Sequence, residues 1–143
     1  MSDKDIGSVY LTCASCGATL TGPVEWSEFS AFDPDVVDGQ SPVQRGTIVR
    51  WNMNSTAPIY FGDGKSEGLK VYSRSGAISM HPDDVIRDQI QSCGFDNGCC
   101  GSDGLDGENR ACNCGAVLGT EWSDCWTQAE VRLSGDAVEV KRC

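Results

Sequence analysis

The sequence has one histidine, few basic residues and no long hydrophobic run, and each scarcity excludes a class of function. No stretch of about 18 apolar residues occurs, so no membrane span is expected. The polar N-terminal residues lack the apolar core of a secretion signal, so a cytoplasmic location is expected. The 11 Lys and Arg residues are scattered among 21 Asp and Glu residues. Because binding to nucleic acid needs clustered Lys and Arg residues, neither nucleic acid nor an anionic membrane is an expected partner.

The acidic excess gives a formal net charge of -10 and leaves two interpretations open. The charge can serve solubility alone, or it can attract a basic protein partner by long-range electrostatics. A hydrolytic site is not expected, because His81 is the only histidine and no nucleophile-elbow motif accompanies it.

The 143 residues suffice for one domain spanning 1–143, and 17 glycines favour short elements joined by turns. Alternating apolar residues between turn signals predict a mainly β fold of two antiparallel sheets. The expected strands are 8–13, 17–26, 43–52, 59–61, 69–73, 77–80 and a final hairpin of 130–133 with 138–140. One short helix is predicted over 82–90, where acidic residues precede an apolar pattern.

Nine cysteines are many for this length, and disulfides, metal ligands and a redox centre are the competing explanations. Disulfides need an oxidising compartment, which no signal segment supports, and the odd count leaves one thiol over. A bridge between neighbours such as Cys112 and Cys114 would be strained. Closely spaced pairs instead suit a metal, because one turn can direct two thiolates at a single ion.

An internal repeat connects two of these cysteine pairs. The sequence Cys16-Gly-Ala-Thr-Leu corresponds to Cys114-Gly-Ala-Val-Leu, and Glu25-Trp26-Ser-Glu corresponds to Glu121-Trp122-Ser-Asp. A second cysteine precedes each copy, Cys13 in the first and Cys112 in the second. Two similar hairpins near opposite ends of the chain are therefore predicted to meet at one structural Zn²⁺ bound by Cys13, Cys16, Cys112 and Cys114.

This arrangement resembles the β-tent group of zinc proteins, which includes B-type methionine sulfoxide reductases, Yippee-like proteins and the ligand-binding domain of cereblon. The resemblance depends on Cys13, Cys16, Cys112 and Cys114 and on the order of predicted strands. It implies two antiparallel sheets joined by a zinc ion between two hairpin turns. The Cys112-x-Cys114 pair departs from the group's usual two-residue spacer. The group's functions are diverse, so the resemblance implies a fold rather than an activity.

The other cysteines and the tryptophans leave alternatives open. Cys93, Cys99, Cys100 and Cys125, with His81 nearby in sequence, could form a second metal site or a redox centre, with Cys143 left over. Burial in the core is the simpler interpretation of Cys125, and a capping or surface role is the simpler one for His81. The recurrence of Trp26 and Trp122 predicts equivalent core positions, whereas Trp51 and Trp126 could mark an exposed binding face.

Two functions follow from these observations as hypotheses. The favoured one is a non-enzymatic protein-interaction module, an inhibitor or immunity-type protein that binds a basic partner. The alternative is a thiol-dependent oxidoreductase resembling the B-type methionine sulfoxide reductases, with Cys93, Cys99 or Cys100 as the reactive thiol. The run Arg110-Ala-Cys112-Asn-Cys114 resembles the Arg-x-Cys-x-Asn run of those enzymes, but its asparagine comes one position early. Zinc binding by Cys112 conflicts with a catalytic role for that cysteine, because the same sulfur cannot serve both roles at once.

Overall fold

The architecture is known from a computed structural model that describes residues 7–54, 73–94, 101–102, 108–125 and 127–143. The mainly β prediction is confirmed. The strands are β1 (Ser8–Cys13), β2 (Val24–Ser27), β3 (Thr47–Arg50), β4 (Ile78–Met80), β5 (Ile90–Ser92), β6 (Arg110–Cys112), β7 (Val117–Trp122), β8 (Glu130–Leu133) and β9 (Val138–Arg142). They form one hydrogen-bonded sheet in the order β5-β6-β7-β8-β4-β3-β2-β1-β9.

The predicted layout of two antiparallel sheets is not confirmed, because the nine strands belong to a single mixed sheet. The parallel pair is β2 with β3, in which Trp26 is opposite Ile48. Parallel neighbours need a long crossover rather than a tight turn. The segment 28–46 provides it, with a 3-10 turn at Phe29–Ala31 and a return loop in which Asp33 N donates to Pro42 O.

The helix predicted over 82–90 is wrong. Two 3-10 turns, Pro82–Asp84 and Arg87–Gln89, occupy most of this segment, and Ile90 already begins β5. Val85 is extended between the turns, where it forms a β-bridge with Thr21. The amide of Ile86 donates to Leu20 O over 2.8 Å. Pairing with the first hairpin therefore draws the backbone out of a helical conformation, although the local sequence favours one.

The final hairpin is half right. Both strands exist, but they do not pair with each other. β8 lies between β7 and β4, with Leu133 opposite both Gly119 and Ile78. β9 pairs with β1 instead, over the five residue pairs from Val9–Arg142 to Cys13–Val138. Strand pairing joins residues far apart in sequence here, and the local turn signal at 134–136 carries no information about that choice.

The other predicted strands are recovered in part. The segment 17–26 is a β-bridge at Thr19 followed by β2, and 43–52 and 77–80 contain β3 and β4. The predicted strand 59–61 lies outside the described residues, as does 69–73 apart from Ser73. In the described part of the chain, no helix has the length and apolar character needed to cross a membrane.

Two apolar clusters form the core. The larger one lies on the face of the sheet that carries alternate residues of β1, namely Val9, Leu11 and Cys13. It also contains the two leucines of the repeat, Leu20 and Leu118, both fully buried. The smaller cluster, Phe32, Val43, Val49, Trp51 and Ala77, packs beneath the crossover segment 28–46. The larger cluster reaches both cysteine-bearing hairpins and supports their tips.

Candidate metal centre

The first hairpin ends in a turn that carries Cys13 and Cys16. Cys13 is the last residue of β1, and its amide donates to Ala18 O over 2.8 Å. The amide of Gly17 donates back to Cys13 O, also over 2.8 Å. Gly17 has a φ of 80°, a left-handed conformation that glycine adopts without steric cost. Gly17, directly after Cys16, therefore allows the tight turn that places Cys16 beside Cys13.

The second hairpin repeats this construction. Cys112 is the last residue of β6, its amide donates to Ala116 O, and the amide of Gly115 donates to Cys112 O, both over 2.8 Å. Gly115 has a φ of 99°. The shorter spacer of the second pair removes one residue from the turn without changing this bonding pattern. The sequence repeat thus corresponds to a structural repeat of two glycine-closed cysteine turns.

The two turns meet, and their four sulfurs form one cluster. Cys13 Sγ lies 3.8 Å from Cys114 Sγ, and Cys16 Sγ lies 3.6 Å from Cys112 Sγ. All four Sγ atoms lie within 4.8 Å of one another. A tetrahedral zinc site with Zn–S bonds of about 2.3 Å has sulfurs roughly 3.8 Å apart. The donor set therefore fits a metal ion that prefers four thiolates, and the predicted ligands Cys13, Cys16, Cys112 and Cys114 lie together as such a site requires.

The sulfur cluster joins two strands that are far apart in the strand order of the sheet. β6 and β1 are six positions apart in the sheet. In a flat sheet that separation would be roughly 29 Å, at about 4.8 Å per strand. The Sγ atoms at the ends of these strands nevertheless lie within 4.8 Å of one another. The sheet is therefore strongly curved, and the sulfur cluster joins the strands that lie second from its two edges.

Burial divides the four sulfurs into two kinds. Cys13 and Cys112, at the strand ends, are buried, whereas Cys16 and Cys114, in the turns, are exposed. Burial raises the pKa of the Cys112 thiol to about 12, and the neighbouring thiols act in the same direction. The backbone amide of Ala116 lowers the pKa of Cys114 to about 7. Without a metal, the buried Cys112 thiol therefore stays protonated, whereas the exposed Cys114 thiol ionises easily.

The cluster includes none of the other described cysteines. Cys93 is half-buried, and Cys125 and Cys143 are exposed. The prediction of a buried Cys125 is therefore wrong. Cys99 and Cys100 lie outside the described residues, so a second metal site or redox centre that uses them stays a prediction. His81 caps the turn Pro82–Asp84, since its Nδ1 accepts from the amide of Asp83 over 3.0 Å, which confirms its capping role.

The tryptophans follow the repeat in part. Trp122 is fully buried, and Trp26 is half-buried against the larger core cluster. Trp51 is buried in the smaller cluster, so its predicted place on an exposed binding face is wrong. The ring of Phe29 covers it edge-on, with ring centroids 4.8 Å apart. Trp126 lies outside the described residues.

Two buried ion pairs were not predicted from the sequence. Glu130 holds Arg132 through both carboxylate oxygens, at 2.9 and 3.2 Å, and also accepts a short hydrogen bond from Ser79. The Arg132 guanidinium lies 4.1 Å from the ring centroid of Trp51 and 5.1 Å from that of Trp122. Residues two apart in a strand lie on the same face. The spacing of Glu130 and Arg132 in an otherwise apolar strand could therefore have predicted this ion pair from the sequence.

The second pair lies on the other side of β7. Glu121 accepts from Arg110 over 3.1 Å and from Arg87 over 2.6 Å. The side chain of Asn109 bonds the backbone of Glu121 in both directions, over 2.8 and 3.0 Å. Both Arg110 and Arg132 are therefore neutralised within the protein. Because Glu121 and Glu130 are buried with them, the two pairs do not change the balance of charge on the outer surface.

A separate pocket of about 300 Å³ lies beside β7 and β8, away from the sulfurs. Acidic and basic side chains share its lining, which includes Arg74, Glu108, Thr120, Trp122, Arg132 and Asp136. None of the four cluster cysteines lines this pocket.

No protein-family model, curated protein or solved structure matches this chain. The resemblance to the β-tent group therefore stays a prediction, and function is inferred from the residues of this chain alone.

Proposed function

We propose that this protein is a non-enzymatic protein-interaction module, of the inhibitor or immunity type, whose fold is held by one structural Zn²⁺. Four thiolates complete the tetrahedral coordination of zinc and leave no open position for a substrate. Such a site contributes its metal-binding free energy to folding. The ion would join β6 and β1, the strands that lie second from the two edges of the sheet.

The observation that supports an interaction role is an acidic segment of the chain that contains no basic residue. Between Trp26 and Gln44 the chain has no Lys or Arg. Its acidic side chains are all exposed: Glu28, Asp33, Asp35 and Asp38. Val37, in the same segment, is 65% exposed, the most exposed large hydrophobic residue among those described. Acidic residues around an exposed apolar side chain suit a basic partner with a complementary apolar contact.

The acidic segment is held in a defined conformation. The Gln128 side chain donates to Pro34 O over 2.8 Å and makes a short hydrogen bond to Val36 O. The amide of Gly39 donates to Thr127 O over 2.9 Å. The Asp35 amide donates to the Asp33 carboxylate over 3.0 Å. Such preorganisation lowers the entropy lost on binding and favours a recognition surface over a solubilising loop.

The interaction role is tested by charge neutralisation with a matched control. One variant carries Glu28→Gln, Asp33→Asn, Asp35→Asn and Asp38→Asn. The control carries Asp83→Asn, Asp88→Asn, Glu108→Gln and Asp136→Asn, which are exposed elsewhere. Both lose the same formal charge. Wild type and control should retain a specific basic protein from the native host, and the first variant should lose it. If both variants lost the basic protein equally, binding would depend on the net charge of the chain rather than on this recognition surface.

The oxidoreductase alternative is tested on the same material. Cys112, the cysteine of the reductase-like run, is fully buried and belongs to the sulfur cluster, which supports the non-enzymatic proposal. We expect no turnover of methionine sulfoxide by the zinc-loaded protein in the presence of dithiothreitol. Turnover that Cys93→Ser, Cys99→Ser or Cys100→Ser abolishes, with the zinc content unchanged, would replace the proposal with the enzyme.

A further inference from the structure

β9 lies at one end of the sheet order and leaves a strand edge exposed. Among the described residues it pairs with β1, and β1 has β2 on its other side. Val138 is buried, but every residue from 139 to 143 is exposed. Val140 is 36% exposed although it lies on the same face of the strand as Val138. An exposed edge of this kind is a template for pairing with another strand.

The pairing with β1 fixes which backbone groups point outward. The amide of Ala14 donates to Ala137 O, and the amide of Cys143 donates to Ser8 O. Hydrogen-bonded residues alternate along an antiparallel strand, so Glu139 and Lys141 also direct their backbone groups toward β1. The backbone N–H and C=O groups of Val138, Val140 and Arg142 therefore point away from the sheet.

The charges of β9 discriminate among the registers in which two copies of it could pair antiparallel. A pair centred on Glu139 places two carboxylates opposite each other, and a pair centred on Lys141 places two ammonium groups opposite each other. A pair centred on Val140 places Glu139 of each copy opposite Lys141 of the other. In the register centred on Val140, Glu139 and Lys141 face each other at non-hydrogen-bonded positions, where opposite side chains approach most closely. Within one copy, Lys141 Nζ lies 3.1 Å from Glu139 Oε1, so both side chains lie on the same face of β9.

From this self-complementarity we propose that the β9 edge binds a second copy of this chain, antiparallel and centred on Val140. The two Val140 side chains become neighbours, and the outward groups of Val138, Val140 and Arg142 form up to about six backbone hydrogen bonds across a two-fold axis. Two five-residue strands make a small contact. The dimer is therefore weak and depends on concentration.

Backbone pairing is tested with Val140→Pro. Proline removes an outward N–H that β1 does not use, and edge strands tolerate it at such positions. Sedimentation velocity of the zinc-loaded chain from ~1 µM to ~1 mM should show a monomer–dimer equilibrium for the wild type. Val140→Pro should remain monomeric with unchanged circular dichroism. A reductant and the Cys143→Ser variant exclude a dimer linked by disulfide. A wild type that stays monomeric throughout overturns the proposal.

The register is tested by charge exchange, which does not alter the backbone. Lys141→Glu creates carboxylate pairs across the axis and should weaken dimerisation about tenfold or more. Adding Glu139→Lys to that variant restores opposite charges and should return the dimerisation constant to near the wild-type value. A double variant that dimerises no better than Lys141→Glu alone overturns the Val140-centred register.

Discussion

The Sγ atoms of Cys13 and Cys114 lie 3.8 Å apart, although 101 residues of chain separate the two positions. The partner cysteines, Cys16 and Cys112, make the reciprocal contact at 3.6 Å. Each close contact therefore joins a strand end of one repeat to the turn of the other. A metal ion at this position connects β1 with β6 across the sheet rather than stabilising either hairpin alone.

Zinc removal is expected to destabilise the whole fold. The zinc-loaded protein should contain one ion per chain, and chelation under reducing conditions should lower its free energy of unfolding by several kcal/mol. Thermal denaturation with and without chelator measures the difference. Cys13→Ser should abolish the chelator effect. Cys143→Ser, which removes an exposed thiol outside the cluster, should preserve it. A chelator effect that persists in Cys13→Ser would contradict the assignment.

The metal-free cluster should be alkylated in a definite order. The pKa of Cys114 is lowered to about 7 and its side chain is exposed, whereas burial raises the pKa of Cys112 to about 12. The thiolate is the nucleophile, so Cys114 should react with iodoacetamide before Cys112. Because the folded-state pKa is depressed, the Cys114 thiolate persists above pH 7 and disappears below it. Its alkylation rate should fall about tenfold from pH 8 to pH 6.

Peptide mass spectrometry after brief labelling at each pH measures these rates. Zinc should protect all four cluster cysteines, while Cys143 reacts in both states. Faster labelling of Cys112 than of Cys114 in the metal-free protein would contradict the expected order.

The glycine in the first cysteine turn is expected to be required for its backbone conformation. Gly17 has a φ of 80° and nothing within 4 Å of an added Cβ, so Gly17→Ala tests conformational strain without a clash. A loss of about 1 kcal/mol in the free energy of unfolding is expected. Gly22→Ala is the matched control, because that position is equally open but has no left-handed φ. Denaturant titration of both variants measures the difference, and equal stabilities would contradict the strain argument.

The buried pair of Glu130 and Arg132 is expected to be costly to break. Glu130→Gln leaves the guanidinium between Trp51 and Trp122 without the carboxylate that neutralises it. A loss of about 3–5 kcal/mol in the free energy of unfolding is expected. Asp83→Asn, in the exposed pair with Arg45, should change it by less than about 1 kcal/mol. Denaturant titration compares them, and similar losses for both would show that burial does not govern the energy of these pairs.

The sequence by itself determined the β class, the positions of most described strands and the four cluster cysteines. These depend on local information: alternating apolar residues select extended backbone, and a cysteine followed by glycine closes a turn around a thiol. The repeat then indicated that the turns at Cys16 and Cys114 belong together, because similar local sequences form similar turns.

Only the tertiary structure decided how the strands pair. β9 pairs with β1 rather than β8, β2 and β3 are parallel, and the helix expected over 82–90 is replaced by two 3-10 turns because Val85 pairs with Thr21. It also decided that Trp51 is buried and that Arg132 is neutralised inside the protein. Such outcomes depend on contacts between residues far apart in the chain. Local propensities are too weak, at less than about 1 kcal/mol per residue, to override those contacts.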